Sequence, residues 1–122
     1  MNSDCLERNL SALAVADPAV AEMVRELCPT RRYRFERSAA GWPVPIDTSE
    51  GDLPLASLQD PLDEYRNLVR RSAPCGTCVP VLWGFGCGYG FLALCLELGD
   101  RISTALIVEP DPSLFKVVLT AL

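Results

Sequence analysis

Gly84-Phe-Gly-Cys-Gly-Tyr-Gly90 places four glycines in seven residues, between the apolar run Val79-Pro-Val-Leu-Trp83 and the helical run Phe91-Leu-Ala-Leu-Cys-Leu-Glu-Leu98. Glycines at such a turn let the backbone bend sharply and approach a ligand, and free amides at a helix start attract an anion. A second apolar run, Thr104-Ala-Leu-Ile-Val108, ends on Glu109, which is placed to accept from ribose hydroxyls. Gly84, Gly86, Gly88 and Glu109 are therefore the candidate cofactor-binding residues, for a nucleotide or S-adenosylmethionine. Two details depart from the usual patterns. Counting G-x-G-x-x-G from Gly84 puts Tyr89 at the last position, and Leu82 stands where methyltransferases carry an acid two residues before the first glycine. The plainer alternative is a turn whose glycines only allow close helix–strand packing.

Other chemistry is narrowed by composition. The chain has no histidine, which removes the commonest general base, the usual catalytic triads and the commonest metal ligand. Of its six cysteines, only Cys75-Gly-Thr-Cys78 has a spacing that does chemistry. A zinc site would need Cys87 and Cys95 as well, but a strand at 79–83 carries Cys87 away from Cys78. A thioredoxin-like pair sits at a helix N-terminus, whereas this one precedes a strand. Plain loop thiols are the reading favoured over a metal site or a thiol-redox module. Glu97 and Asp111 are nearby carboxylates, but Glu97 falls late in its helix and Asp111 is placed to cap one, so no residue is assigned a catalytic role. The formal charge is −5, and residues 1–40 balance six acids against six arginines, so the excess lies in 41–122. An acidic domain gains nothing from phosphate neutralisation, which argues against nucleic acid as a partner.

The elements that must position these residues are marked by local signals. Asp17-Pro18, Asp60-Pro61 and Asp111-Pro112 each offer a capping carboxylate and a proline at the first helical position. They predict helices ending at Cys28-Pro29, near Ser72, and close to Leu122. Leu6, Leu10 and Leu13 predict a short helix before them. Arg32-Tyr-Arg-Phe-Glu-Arg37 alternates, predicting a strand with Tyr33 and Phe35 inward and its arginines solvated. Ala40-Gly41 is a turn signal, and Pro43-Val-Pro-Ile46 returns as an edge strand, followed by a polar loop over 47–59. Ser72 to Leu96 carries no charge, but its prolines and glycines exclude a spanning helix; a buried strand, a glycine turn and a buried helix account for it. Pro80 delays regular strand pairing to Val81. The whole predicts an α/β fold: N-terminal helices and a β-hairpin (1–72), then a truncated Rossmann-like β-α-β with a final helix (73–122), its crossover right-handed.

With these elements in order, the chain resembles the N-terminal region of the motility accessory factor family of flagellin glycosyltransferases, with 6-hydroxymethylpterin pyrophosphokinase-like proteins as superfamily neighbours. The likeness runs over Leu6-Glu-Arg-Asn-Leu10, Asp17-Pro18, Tyr33-Arg-Phe35, Gly41 and Asp60-Pro-Leu-Asp-Glu64. It is most specific in Gly84-Phe-Gly-Cys-Gly-Tyr89 and Val108-Glu-Pro-Asp-Pro-Ser-Leu-Phe115. Family members continue into a sialyltransferase-like domain that transfers nonulosonic acids, such as pseudaminic acid, to flagellin serines or threonines. The resemblance implies a non-catalytic N-terminal module, serving assembly or acceptor recognition, with downstream domains of the same chain and flagellin as partners. Two strands and a hairpin fall short of a complete doubly wound sheet, and the last helix stops on Leu119, Ala121 and Leu122 without a cap. Both features read as a single domain of a longer chain, and the apolar end of that helix offers a dimer surface. With no leader-like N-terminus and no spanning segment, the expected location is the cytoplasm, with no membrane partner. The alternative reading is an S-adenosylmethionine-dependent methyltransferase-like nucleotide-binding fragment.

Overall fold

In the computed structural model, which describes residues 3–121, the aspartates of all three Asp-Pro pairs cap helices. Asp17 accepts from the Val20 amide at 3.0 Å and starts α2 (Pro18–Glu26). Asp60 accepts from Asp63 at 3.0 Å and starts α3 (Pro61–Ser72), and Asp111 accepts from Ser113 and Leu114 and starts α5 (Pro112–Ala121). Each cap satisfies amides that the first helical turn leaves open. Before them α1 spans Ser3–Ala16, and α4 (Tyr89–Leu98) follows the glycine turn and closes on Gly99, whose φ of +50° suits glycine.

Two small sheets accompany the five helices, so the chain is mixed α/β. In the first, β1 (Tyr33–Arg37), β2 (Pro43–Asp47) and β3 (Leu53–Pro54) lie antiparallel in that order. The expected edge strand is thus the central one, and the expected polar loop contributes a short strand. The ladder explains how two prolines fit there. Thr48 donates to the Arg32 carbonyl and Ser38 to that of Trp42, so the even residues of this stretch face β1. By the two-residue period, Pro43 and Pro45 turn their missing N–H away from β1, and the ladder to β1 loses no donor. Leu55 donates to the Pro45 carbonyl on the other side. The inward placement of Phe35 is also corrected: it is 37% exposed, because β1 is an edge strand that packs chiefly on β2. Tyr33 is half-buried as expected.

The second sheet has two parallel strands, β4 (Val81–Trp83) and β5 (Leu106–Val108), joined through α4. Pairing begins at Val81, as Pro80 predicts. Leu82 faces α4, where Gly90 comes so close that a Cβ would lie 3.5 Å from the Leu82 side chain and 3.4 Å from the Tyr65 ring. The opposite face is open. Val81 and Trp83 are 63% and 79% exposed, so the strand expected to be buried is covered on one face only. Absence of charge in residues 72–96 does not bury them; two strands and one helical layer supply too little cover.

The core has several parts, one of them formed by Val44 and Ile46, which are fully buried on β2. Leu10, Val24, Leu114 and Val118 are buried where α1, α2 and α5 meet. Tyr89, Ala93, Leu94 and Leu98 are buried on α4, which packs on α3. Lys116 Nζ donates to the carbonyls of Arg25 and Leu27 at 2.7 and 2.6 Å, placing a cation at the C-terminal end of α2. Asn9 bonds the Leu119 carbonyl at 2.8 Å. Leu114 and Val118 of α5 are thus covered by α1 and α2, whereas at the end of the helix Leu119 is half-buried and Ala121 exposed; Leu122 lies outside the described residues. Among the described residues no helix is long and apolar enough to cross a membrane.

Candidate functional site

The glycine turn, Glu109 and the start of α5 meet at the carboxyl ends of β4 and β5, where open parallel sheets usually bind ligands. Gly84, Gly86 and Gly88 have φ of +90°, +54° and +80°, in the region that favours glycine. A Cβ at Gly84 or Gly86 would meet nothing within 4 Å. Gly84 and Gly86 are thus required by backbone conformation, whereas Gly90 is required by close packing. Conformation and packing, which the sequence leaves as alternatives for one turn, divide among its glycines.

The Glu109 side chain decides what this turn does. Its Oε2 accepts from the backbone amides of Phe85 at 2.7 Å and Gly86 at 3.1 Å, and its Oε1 accepts from Asp111 at 2.8 Å. The carboxylate sits on the turn's own amides, where a ligand anion would otherwise be attracted. Gly84 donates to the Val108 carbonyl at 2.6 Å and Gly88 to that of Phe85 at 2.9 Å. All four residues predicted as the cofactor site are brought together, with Glu109 as the turn's internal anion. At Gly88, α4 has no side-chain cap, so the amides of its first turn stay open.

The hairpin closes over the same end, through residues the sequence reading did not place there. The Tyr33 hydroxyl donates to Asp111 Oδ2, and Arg32 makes a bidentate pair with Asp47 (2.6–3.1 Å) and approaches Asp111 at 3.5 Å. The Tyr89 hydroxyl donates to the Pro43 carbonyl at 2.6 Å, and Trp42 meets the Tyr89 ring edge-on. Phe85 and Phe115 cross at 5.1 Å and 88° beside the turn. Burial pushes the Tyr33 and Tyr89 hydroxyls up to about 12, so both remain protonated donors. Arg32, together with the Ser49 amide, holds Asp47 well below the usual carboxylate range. Burial raises Asp111, but Tyr33, the amides of Leu114 and Ser113, and Arg32 outweigh it and leave it lowered. No local spacing signals these contacts, which join residues far apart in the chain.

The remaining candidates lie elsewhere. Cys75 is exposed and Cys78 half-buried in the loop before β4, and Arg101 holds this loop by donating to the carbonyls of Pro74 and Gly76. A cavity of about 510 Å³ beside it is lined by Arg70, Cys75, Glu97 and Arg101. Both α3 and α4 end there, so the arginines offset the partial negative charge of two helix C-termini. Glu97 accepts from Arg66 and Arg70, which hold it below its ordinary value, and it serves the α3–α4 contact. Among the described residues no two cysteines form a disulfide. Buried Cys87 is pushed up to about 12 by desolvation, the opposite of an activated thiol. Comparison with protein families, with curated proteins and with solved structures finds no match.

Proposed function

We propose that this chain is a non-catalytic module of a flagellin-modifying, nonulosonic acid glycosyltransferase, acting in assembly or acceptor recognition. The family reading rests on the residue blocks that resemble the motility accessory factors, above all 84–89 and 108–115. The observation that carries the non-catalytic reading is the Glu109 carboxylate on the amides of Phe85, Gly86 and Asp111. In a Rossmann-like site that acid would face a ribose; here it ties strand β5 to the glycine turn and α5. The tyrosine and arginine of the hairpin then brace Asp111 over the same end. A scaffold with its cofactor crevice closed by its own side chains suits recognition better than chemistry.

Flagellin binding tests this reading. Immobilised chain exposed to purified flagellin is expected to show saturable binding at micromolar concentration, with no sugar transfer by the chain itself. Absence of binding would remove acceptor recognition, and transfer activity would remove the non-catalytic reading. A second reading, an S-adenosylmethionine-dependent methyltransferase-like fragment, is favoured by one observation, the uncapped first turn of α4 after three left-handed glycines. It requires cofactor binding that depends on Glu109.

A further inference from the structure

Cys75-Gly-Thr-Cys78 is a motif that the glycine turn does not absorb, and its spacing alone favours plain loop thiols because a strand follows it. The folded loop adds contacts that spacing does not record. Four residues of extended chain put their outer Cα atoms about 10 Å apart, beyond the roughly 7 Å that a disulfide spans. Here the chain bends at Cys75 and Gly76, and Gly76 takes a φ of +87°. One residue holds the bent loop at three points. The Arg101 side chain donates to the carbonyls of Pro74 and Gly76, on either side of Cys75, and the Arg101 carbonyl accepts from the Cys78 amide at 2.9 Å. Cys75 is exposed and Cys78 half-buried. Cys75 also lines the cavity of about 510 Å³ to which Arg70 and Arg101 contribute. The carboxylate that lines it, Glu97, is taken up by Arg66 and Arg70.

We propose that Cys75 and Cys78 are a reversible dithiol–disulfide pair that exchanges with small disulfides bearing carboxylates, the glutathione class. Exposure sets the order of attack. Cys75, as the thiolate, attacks one sulfur of the small disulfide; that S–S bond breaks, a mixed disulfide forms on Cys75, and one glutathione leaves as the thiolate and takes up a proton. The half-buried Cys78, as its thiolate, then attacks the Cys75 sulfur, which forms the Cys75–Cys78 bond and releases the second glutathione. The two protein thiols lose two electrons and two protons, and the small disulfide gains both as it becomes two thiols. The cavity gives the mixed disulfide room, and guanidinium groups suit its carboxylates. The second attack is intramolecular, so a loop already bent favours the closed pair over a lasting mixed disulfide. The pair precedes the amino end of β4, whereas the glycine turn follows its carboxyl end, and it is independent of the function proposed above.

Titration of the reduced full chain with glutathione disulfide at about pH 8, where ordinary thiols are partly ionised, tests it. Alkylation of the remaining thiols and fragment mass spectrometry read the products. The expected product has lost the mass of two hydrogens between residues 75 and 78. It should appear at a glutathione disulfide concentration at least about tenfold below that which modifies the exposed Cys95. Cys78→Ser should instead accumulate glutathione on Cys75, whereas Cys75→Ser should leave Cys78 largely unmodified at the same concentration. Arg101→Gln, which releases the loop, should lose the preference over Cys95. Far-ultraviolet circular dichroism checks that the variants stay folded. The proposal is overturned by a parent chain that keeps glutathione on Cys75 without closing, by a disulfide from either cysteine to Cys87 or Cys95, or by a pair that oxidises no more readily than Cys95. Ready glutathionylation of Cys78 in Cys75→Ser, or a preference that survives Arg101→Gln, would overturn it equally.

Discussion

Glu109 is the residue on which the account turns, because one side chain fastens strand, glycine turn and final helix. Glu109→Gln removes the charge from three N–H···O contacts and should destabilise the fold by about 1–3 kcal/mol. Gly86→Ala should cost roughly 1–2 kcal/mol through its φ of +54° alone, since a Cβ there meets nothing. Urea unfolding measures both. A second residue-scale effect depends on pH. Asp47 has its pKa lowered in the folded state by Arg32 and the Ser49 amide, so its contribution is present above the unfolded value of about 3.9 and is lost as pH falls below it. The midpoint of thermal unfolding should drop between pH 5 and pH 2.5, by less in Asp47→Asn than in the parent. Glycines and an acid at the ends of two apolar runs were legible as a cluster because strand–turn–helix–strand spacing dictates it. That the acid points back into the turn was not legible, because side-chain direction at a strand tip depends on which amides the turn leaves open.

Elements were most legible where a local device specifies them. An Asp-Pro pair acts over three residues, and all three predicted helix starts are observed. Pro80 and Gly99 likewise set the start of β4 and the end of α4. Elements that depend on distant partners were misread. β2 looked like an edge because it holds two prolines, and only its pairing with a two-residue β3 makes it central. The uncharged run 72–96 looked buried because hydropathy does not record how many layers a short chain can supply. Within that run the structure separates the thiols. Cys87, 5% exposed, should resist alkylation under native conditions, whereas Cys75 and Cys95 on the surface should react readily. Mass spectrometry after a short iodoacetamide pulse reads the order; labelling of Cys87 as fast as Cys75 would contradict the packing of the turn against α4.

At the scale of the whole molecule, the first and last helices hold the chain together. Leu10 is fully buried where α1 meets the partners it shares with α5, and Lys116 bonds the end of α2 from α5. Leu10→Ala should therefore destabilise the entire fold by about 2–5 kcal/mol, as a cavity at a fully packed site does, and removal of 112–122 should unfold it. Circular dichroism during thermal unfolding follows both. The mixed α/β class was readable from the alternation of helical and strand periods, while the open sheet face was not, since it depends on which elements pack together.

The measurement that bears most directly on the central claim is calorimetric titration of the folded chain with S-adenosylmethionine and with nucleoside diphosphates. With Glu109 seated on the turn's own amides, no binding heat is expected for either ligand, in the parent or in Glu109→Gln. Micromolar binding by the parent that Glu109→Ala abolishes would contradict the account and make the glycine turn a cofactor site.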